Sequence, residues 1–235
     1  MTSENIWNDY IQEMILGIGS LGITYKVKDK KNNKYYALKE IKKEKISKDN
    51  FCQIINNIKE LNSENFVSII KEYEDYENYY IIMDLCLFNL EDYLIQRDND
   101  LSIEEIKLIL SQLNNALIII REKKISLGNL KFSNILLSID KLDKITLKLS
   151  DFYFKNENNI SNSIYSLSPE YLENKSINEK TDIWNLGVII YFLLFKKFPF
   201  KSENINIILK EIKSNQFKFS IVFNSGNVNP IFDKE

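Results

Sequence analysis

The sequence predicts an α+β fold of two lobes, in which a small antiparallel sheet with one helix precedes a larger, mostly helical part. Three observations support this prediction. Residues 10–43 alternate and turn like a β-sheet, one amphipathic segment follows them, and two more strand-like segments precede a helical remainder. Strands followed by a run of helices are typical of α+β proteins, and the change of pattern places the junction near residues 85–89.

Composition limits the chemistry that the chain can perform. Its 235 residues are 44% hydrophobic and 27% charged, as in ordinary globular proteins. A net charge of -2 supplies no field that would attract nucleic acid or an anionic membrane. Because the chain has 0 histidines, it has no imidazole base and no Ser-His or Cys-His nucleophile. Any chemistry must therefore come from Asp, Glu, Lys and the backbone.

Targeting signals are not expected, and the sequence favours a cytoplasmic location. The beginning MTSENIWNDY has acidic residues and no apolar core, unlike a secretion signal. Cys52 and Cys86 are too few for a disulfide framework, so we expect packed thiols in a reducing compartment. The apolar run Val188–Phe195 is less than half of the roughly 18 residues that a membrane span needs. It predicts a buried helix and no membrane insertion.

The elements follow in order along the chain. Residues 31–33 predict a hairpin turn between the strands TYKVKD and KYYALKEI, and we interpret the lysine-rich stretch 26–48 as a solvated face. Ser47 opens a helix that ends within residues 62–65, and its apolar residues recur at helical spacing: Phe51, Ile54 or Ile55, Ile58 and Leu61. Strands at 67–73 and 79–85 complete the sheet.

The second half begins with the helical segment NLEDYLIQ. An amphipathic pattern predicts a long helix over about 103–123, and the segments ILLSI and TLKLS predict a short hairpin. The polar tract 156–163 is too short for a separate disordered domain and predicts a mobile loop, after which further helices follow.

Two motifs point to a phosphate-binding pocket. Gly17, Gly19 and Gly22 form a G-x-G-x-x-G pattern that is weak alone, but a strand follows it where the dinucleotide-binding version needs a helix. This favours a glycine loop between antiparallel strands. Ala37 and Lys39 alternate on one side of the strand YALKEI, so a small residue and an ammonium group should face the same pocket.

Four further stretches are LKFSN (130–134), DFY (151–153), SPE (168–170) and DIWNLGVIIYFLLFKKFPF. With these stretches and the residues above, the chain resembles the eukaryotic protein kinase family, Ser/Thr branch, from about Tyr10 onward. The resemblance implies one kinase-like domain over 1–235. Its small lobe would span about 10–85, its hinge 85–89 and its large lobe 90–235, and we expect this lobe to end before the last helices of the family. ATP and Mg²⁺ are the implied cofactors, and a protein partner or substrate is implied.

The resemblance also implies roles for single residues. Met83 falls at the gatekeeper position next to the adenine site, and Glu170 and Asp182 are expected to be structural. Residues implied to bind the nucleotide are Leu16, Gly17, Gly19, Gly22, Ala37, Lys39, Met83, Asp84 and Cys86. Asn129 and Lys131 are the implied catalytic positions, and Asn134 and Asp151 the implied metal ligands.

The catalytic loop departs from the family pattern H-R-D-L-K-x-x-N. Leu127, Gly128 and Asn129 stand at its first three positions, so an amide replaces the base. An asparagine amide is not basic near pH 7, and general-base assistance is worth roughly 10² to 10⁴ in rate. Gly128 also removes the cation to which a phosphorylated activation segment docks. Tyr153 stands where the family has a glycine.

The helix partner of Lys39 is expected to differ too. The glutamate of the family falls near Ile54, and Gln53 beside it offers only a neutral hydrogen bond. These departures favour a pseudokinase that binds ATP with weak or absent phosphotransfer. An active serine/threonine kinase and a scaffold that binds no nucleotide are the alternatives.

Overall fold

The computed structural model describes residues 6–19, 21–61, 63–124, 127–128, 130–140, 144–150, 164–200, 202 and 204–214. Within them the α+β prediction is confirmed. The strands are β1 Tyr10–Ile18, β2 Gly22–Asp29, β3 Tyr35–Lys42, β4 Ile69–Glu74, β5 Asn78–Met83, β6 Phe88–Asn89, β7 Ile135–Ile139 and β8 Ile145–Leu149. The helices are α1 Lys48–Glu60, α2 Leu90–Gln96, α3 Ile103–Glu122, α4 Pro169–Asn174, α5 Glu179–Phe195 and α6 Ile205–Lys213.

The small lobe is a 5-stranded antiparallel sheet in the order β1-β2-β3-β5-β4. The predicted hairpin turn joins β2 to β3, where the Asp29 carboxylate accepts a hydrogen bond from the backbone N–H of Lys31 at 2.7 Å. Asn33 takes a positive φ of 59° in this turn, a conformation that asparagine tolerates. The turn prediction is therefore confirmed.

Helix α1 begins where the sequence predicts. The Ser47 hydroxyl accepts a hydrogen bond from the Asn50 backbone N–H at 3.3 Å, which satisfies one free donor of the first turn. Phe51 is fully buried and stacks on Tyr79 of β5 with ring centroids 4.2 Å apart. Because the aromatic pair buries apolar surface against the sheet, it fixes α1 on this face.

The opposite face of the sheet is covered by a short 3₁₀ turn at Ile6–Asn8, which we did not predict. Ile6 is 2% exposed, and the Trp7 ring contacts Tyr25 and Tyr80 edge-on. Tyr73 on this face donates a hydrogen bond to the Asp9 carboxylate at 2.9 Å. The small sheet thus has apolar cover on both faces.

Two strand boundaries differ from the prediction. We expected strands at 67–73 and 79–85, but they span Ile69–Glu74 and Asn78–Met83. The chain before β4 pairs with the large lobe instead: Val67 N–H donates to the Leu149 carbonyl at 3.2 Å, and Phe66 forms a parallel bridge to Leu149. The apolar character of residues 66–67 therefore reflects burial between lobes.

The large lobe begins with β6 and is mostly helical. β6, β7 and β8 form a 3-stranded sheet, and β7–β8 is the predicted hairpin. Helix α3 covers 103–122, close to the predicted span, and starts with a capping box at Ser102 and Glu105. The tract 156–163 lies outside the described residues.

Helix α5 contains the apolar run Val188–Phe195. Val188, Ile189 and Leu193 are buried, whereas Leu194 is 49% exposed, so the prediction of a buried helix is confirmed for one side. In the described part of the chain, no helix combines the length and the apolarity that a bilayer crossing requires.

Candidate functional site

The upper wall of the cleft is built by β3. In its registers, Ala37 lies opposite Lys26 and Met83, whereas Lys39 lies opposite Thr24 and Ile81. Ala37 and Lys39 are each 7% exposed, so the predicted common face is buried. Alternation along the strand thus puts a small side chain and an ammonium group two residues apart on one surface.

An apolar cluster joins this wall to the large lobe. Ala37, Val67 and Met83 are buried together, and Leu85 and Leu136 pack against them. Leu136 comes from β7, so it closes the cluster from the side of the large lobe. Sequence reasoning found Ala37 and Met83 but missed the other three residues, because a leucine or valine in a strand carries no sign of which lobe it will contact.

The glycine loop is a tight turn between β1 and β2. Gly19 and Gly22 exchange two backbone hydrogen bonds, at 2.8 and 3.3 Å. A Cβ on Gly22 would lie 1.9 Å from the Glu40 carbonyl oxygen, so Gly22 is required by the packing of β2 on β3. Gly17, in contrast, has open space around it. Leu16 beside it is 42% exposed.

The side chain at the end of this turn points away from solvent. Leu21 is 5% exposed and packs with Ile41 of β3 and with Phe51 and Ile55 of α1. Its carbonyl accepts a hydrogen bond from the Lys42 backbone N–H at 3.0 Å. The turn is therefore fixed to the rest of the lobe on its β2 side.

The hinge follows β5. Asp84, which was predicted to contact adenine through its backbone, uses its side chain for an ion pair with Lys148 at 2.9 Å. Burial raises the pKa of the Cys86 thiol to about 11. Cys86 therefore remains protonated at neutral pH, and as a thiol it is a weak nucleophile.

The lower wall depends on a buried carboxylate. Asp182 on α5 is 5% exposed and accepts hydrogen bonds from the backbone N–H groups of Leu127 and Gly128, both at 2.7 Å. This is the structural role that the resemblance implied for Asp182. Gly128 has φ +64°, and a Cβ there would lie 2.7 Å from Ile177 Cγ2. Both the conformation and the space therefore favour glycine.

Asn134 and Lys131 lie in the same loop. Asn134 is 6% exposed, and its carbonyl accepts a hydrogen bond from the Ser150 N–H at 3.0 Å. This contact brings Asn134 next to the residue that precedes Asp151. Asn129, Asp151 and Tyr153 lie outside the described residues, so their roles stay predictions.

Helix α1 presents no carboxylate at the position nearest to the glutamate of the family. Ile54 is 8% exposed and belongs to the apolar core that includes Leu127 and Leu130 of the large lobe. Gln53 is exposed, whereas Ile54 next to it faces the core, because consecutive helical residues diverge by about 100°. A contact between Gln53 and Lys39 therefore stays a prediction.

Glu170 on α4 has a partner that we did not predict. We expected a structural role for Glu170, although no arginine follows Arg121 in the sequence to pair with it. Instead the Thr181 hydroxyl donates a hydrogen bond to Glu170 Oε1 at 2.8 Å. Thr181 also accepts one from the Asn178 backbone N–H at 3.2 Å, at the start of α5. In the sequence, Asn178 and Thr181 have the N-x-x-T spacing of a capping box, which could have indicated that Thr181 is held at the start of α5.

A two-lobed α+β chain with a glycine turn, a buried strand lysine and an anchored loop has the architecture of a protein kinase. The family model for the protein kinase domain matches residues 10–231, and the chain belongs to this family.

Named kinases are among its relatives. The chain is 32% identical over 213 residues to calcium-dependent protein kinase 5 of Plasmodium berghei (strain Anka), which covers 87% of this chain and 37% of the relative. It is 30% identical over 223 residues to the probable serine/threonine-protein kinase CCRP1 of Zea mays, covering 89% of this chain and 35% of the relative. For serine/threonine-protein kinase 33 of Mus musculus, 25% identity extends over 224 residues, 87% of this chain and 45% of the relative. The chain thus spans less than half the length of these relatives.

Proposed function

We propose that this chain binds ATP with Mg²⁺ in the cleft and transfers phosphate weakly or not at all, acting as a pseudokinase on a protein partner. One contrast carries the proposal. The upper wall keeps Ala37 and Lys39 on one buried face, whereas the loop below has Asn129 at the position of the base.

The upper wall fits a nucleoside triphosphate. Ala37 is small enough to let a planar base approach the sheet, and Leu136 supplies an apolar surface in the same cluster. Lys39 is two residues after Ala37 on β3, at a distance of about 7 Å. This distance suits the separation between the base of a nucleotide and its phosphates. The open space at Gly17 allows the backbone to approach a phosphate group.

Asn134 and Asp151 are the residues that would hold Mg²⁺. Carboxylate and amide oxygens suit this hard cation, which neutralises phosphate charge when bound. The hydrogen bond from the Ser150 N–H to the Asn134 carbonyl supports the pairing, because Ser150 directly precedes Asp151 in the sequence.

Three features argue against efficient transfer. Asn129 can orient a substrate hydroxyl but cannot accept its proton. Gly128 supplies no guanidinium group to a phosphorylated segment. Ile54 offers no carboxylate to Lys39, since its side chain is apolar and lies in the core.

An active serine/threonine kinase is the second candidate, favoured by the names of the relatives and by Lys131, which matches the lysine of the family loop. Phosphoryl transfer depends mostly on positioning and charge, so loss of the base lowers the rate without abolishing it in principle. We further propose a cytoplasmic location, which fits the free thiols of Cys52 and Cys86.

Nucleotide binding is tested by thermal unfolding with and without ATP and Mg²⁺. A ligand at 100 times its dissociation constant adds about 2.7 kcal/mol of stability. We expect the wild type to be stabilised and Lys39→Met to lose the effect. Lys42→Met is the matched control, because Lys42 is an exposed lysine on the same strand. Absence of stabilisation in the wild type would instead support a scaffold that binds no nucleotide.

Phosphotransfer is tested with labelled ATP on a generic peptide and on the chain itself. We expect little wild-type turnover and an increase of roughly 10² to 10⁴ in Asn129→Asp, because that change restores a base. Fast wild-type turnover that Lys39→Met abolishes would establish the active kinase and refute the pseudokinase.

A further inference from the structure

An ion pair joins the hinge to the large lobe beside the cleft. Lys148 Nζ on β8 lies 2.9 Å from Asp84 Oδ2, and the two side chains are 17% and 33% exposed. Asp84 is the residue directly after β5, on the small-lobe side of the hinge. Because both groups are partly removed from water, their attraction is screened less than that of a surface pair.

The same two residues are held by further hydrogen bonds. Asp84 Oδ2 accepts one from the Ser68 N–H at 3.2 Å, and the Asp84 N–H donates to the Ser68 carbonyl at 3.2 Å. Lys148 Nζ also donates to the Phe66 carbonyl at 3.4 Å. Lys148 therefore ties the hinge and the segment before β4 to one point on the large lobe.

The position of Lys148 on its hairpin links this contact to the cleft. Lys148 lies directly opposite Leu136 in the β7–β8 register. Residues directly opposite in an antiparallel pair project from the same face. One face of the hairpin thus carries Leu136, which packs against the Ala37 and Met83 cluster, and the cation that holds Asp84.

We propose that Lys148 is a positioning residue for the nucleotide, an inference that rests on the proposed function. By holding Asp84, it sets the separation between Leu136 on the large lobe and Ala37 on the small lobe, and it fixes the first backbone group of the hinge. In the proposed function, the planar base of the nucleotide binds against this cluster. Loss of the ion pair is expected to weaken nucleotide binding without removing any group that contacts the phosphates.

The test measures ATP affinity, with Mg²⁺, by calorimetric titration of the full chain. We expect Lys148→Met to raise Kd about fivefold, the effect of one partly exposed ion pair, and Lys148→Arg to restore part of it. Lys144→Met should bind like the wild type, because Lys144 is an exposed lysine directly before β8. Asp84→Asn should weaken binding similarly, and the double variant Asp84→Asn with Lys148→Met should add little.

The outcomes separate the two proposals. If the wild type binds ATP and Lys148→Met binds equally well, the positioning role is overturned while nucleotide binding stands. If the wild type does not bind ATP, the proposed function fails and the positioning role fails with it. Should Lys148→Met not fold, Asp84→Asn and Lys148→Arg decide the question, and wild-type affinity in Asp84→Asn would overturn the inference.

Discussion

The two walls of the cleft are held by different means. The upper wall is regular sheet, in which strand alternation alone places Ala37 and Lys39 on a common face. The lower wall is an irregular loop, which Asp182 holds from 55 residues away in sequence through the backbone of Leu127. The difference teaches that the position of Ala37 and Lys39 depends on local pattern, whereas the loop at Leu127 and Gly128 depends on a distant buried carboxylate.

Glycine is required on both walls, for different reasons. Gly22 is needed because a Cβ would strike the backbone of β3, while Gly128 is needed because its φ is +64° and Ile177 fills the space above it. Replacement of Gly22 should separate β2 from β3, whereas replacement of Gly128 should distort only its loop. The walls can therefore be perturbed one at a time.

The largest expected effect is on the lower wall. Asp182→Ala leaves the backbone N–H groups of Leu127 and Gly128 buried without their acceptor, so we expect the free energy of unfolding to fall by about 3 kcal/mol or more. Urea denaturation measures this loss. Ile183→Ala is the control, since Ile183 is 64% exposed on the same helix. A loss below about 1 kcal/mol would refute dependence of the loop on Asp182.

The upper wall should respond to Gly22→Ala. Because the added Cβ meets the Glu40 carbonyl, β2 must move away from β3, at a cost of about 2 to 3 kcal/mol. Gly17→Ala has open space and should change the stability by no more than about 0.5 kcal/mol. Equal effects of the two substitutions on the thermal midpoint would contradict the assignment of Gly22 to packing.

The smallest expected effect concerns a surface ion pair remote from both walls. Glu74 contacts Lys43 at 3.1 Å and Lys48 at 3.4 Å, and the hydrogen bond from Lys43 lowers the pKa of Glu74 below its ordinary value of 4.5. Because its pKa is lower in the folded protein, the Glu74 carboxylate stabilises the fold at pH values above 4.5. This contribution disappears as the pH falls through the pKa of the folded state.

Glu74→Gln should therefore lower the free energy of unfolding by roughly 0.2 to 1 kcal/mol at pH 7, as is typical of exposed pairs. It should not change this free energy at a pH where the carboxyl of the wild type is protonated. Urea denaturation across pH 2 to 7 measures the difference. Glu77→Gln, at an exposed position in the turn between β4 and β5, is the matched control and should leave the free energy of unfolding nearly unchanged at pH 7. If the loss of stability in Glu74→Gln grew toward low pH, the prediction would be wrong.

The sequence predicted the sheet, α1, α3 and the β7–β8 hairpin, because alternation and helical spacing are local properties. It also predicted Ala37 and Lys39 as neighbours, and the structure places them so. It missed the contacts of Leu136 and Lys148, which arise only where the two lobes meet. The contact of Gln53 with Lys39 stays a prediction, since Ile54 takes the inward direction on α1 and Gln53 is exposed.

The junction between α4 and α5 has one more consequence. Thr181 donates a neutral hydroxyl to Glu170, where an arginine would have formed an ion pair. Dissolved ions screen the attraction between opposite charges but weaken a bond from an uncharged donor far less. The attachment of α4 should thus persist in concentrated sodium chloride, conditions under which a guanidinium link of similar exposure would loosen.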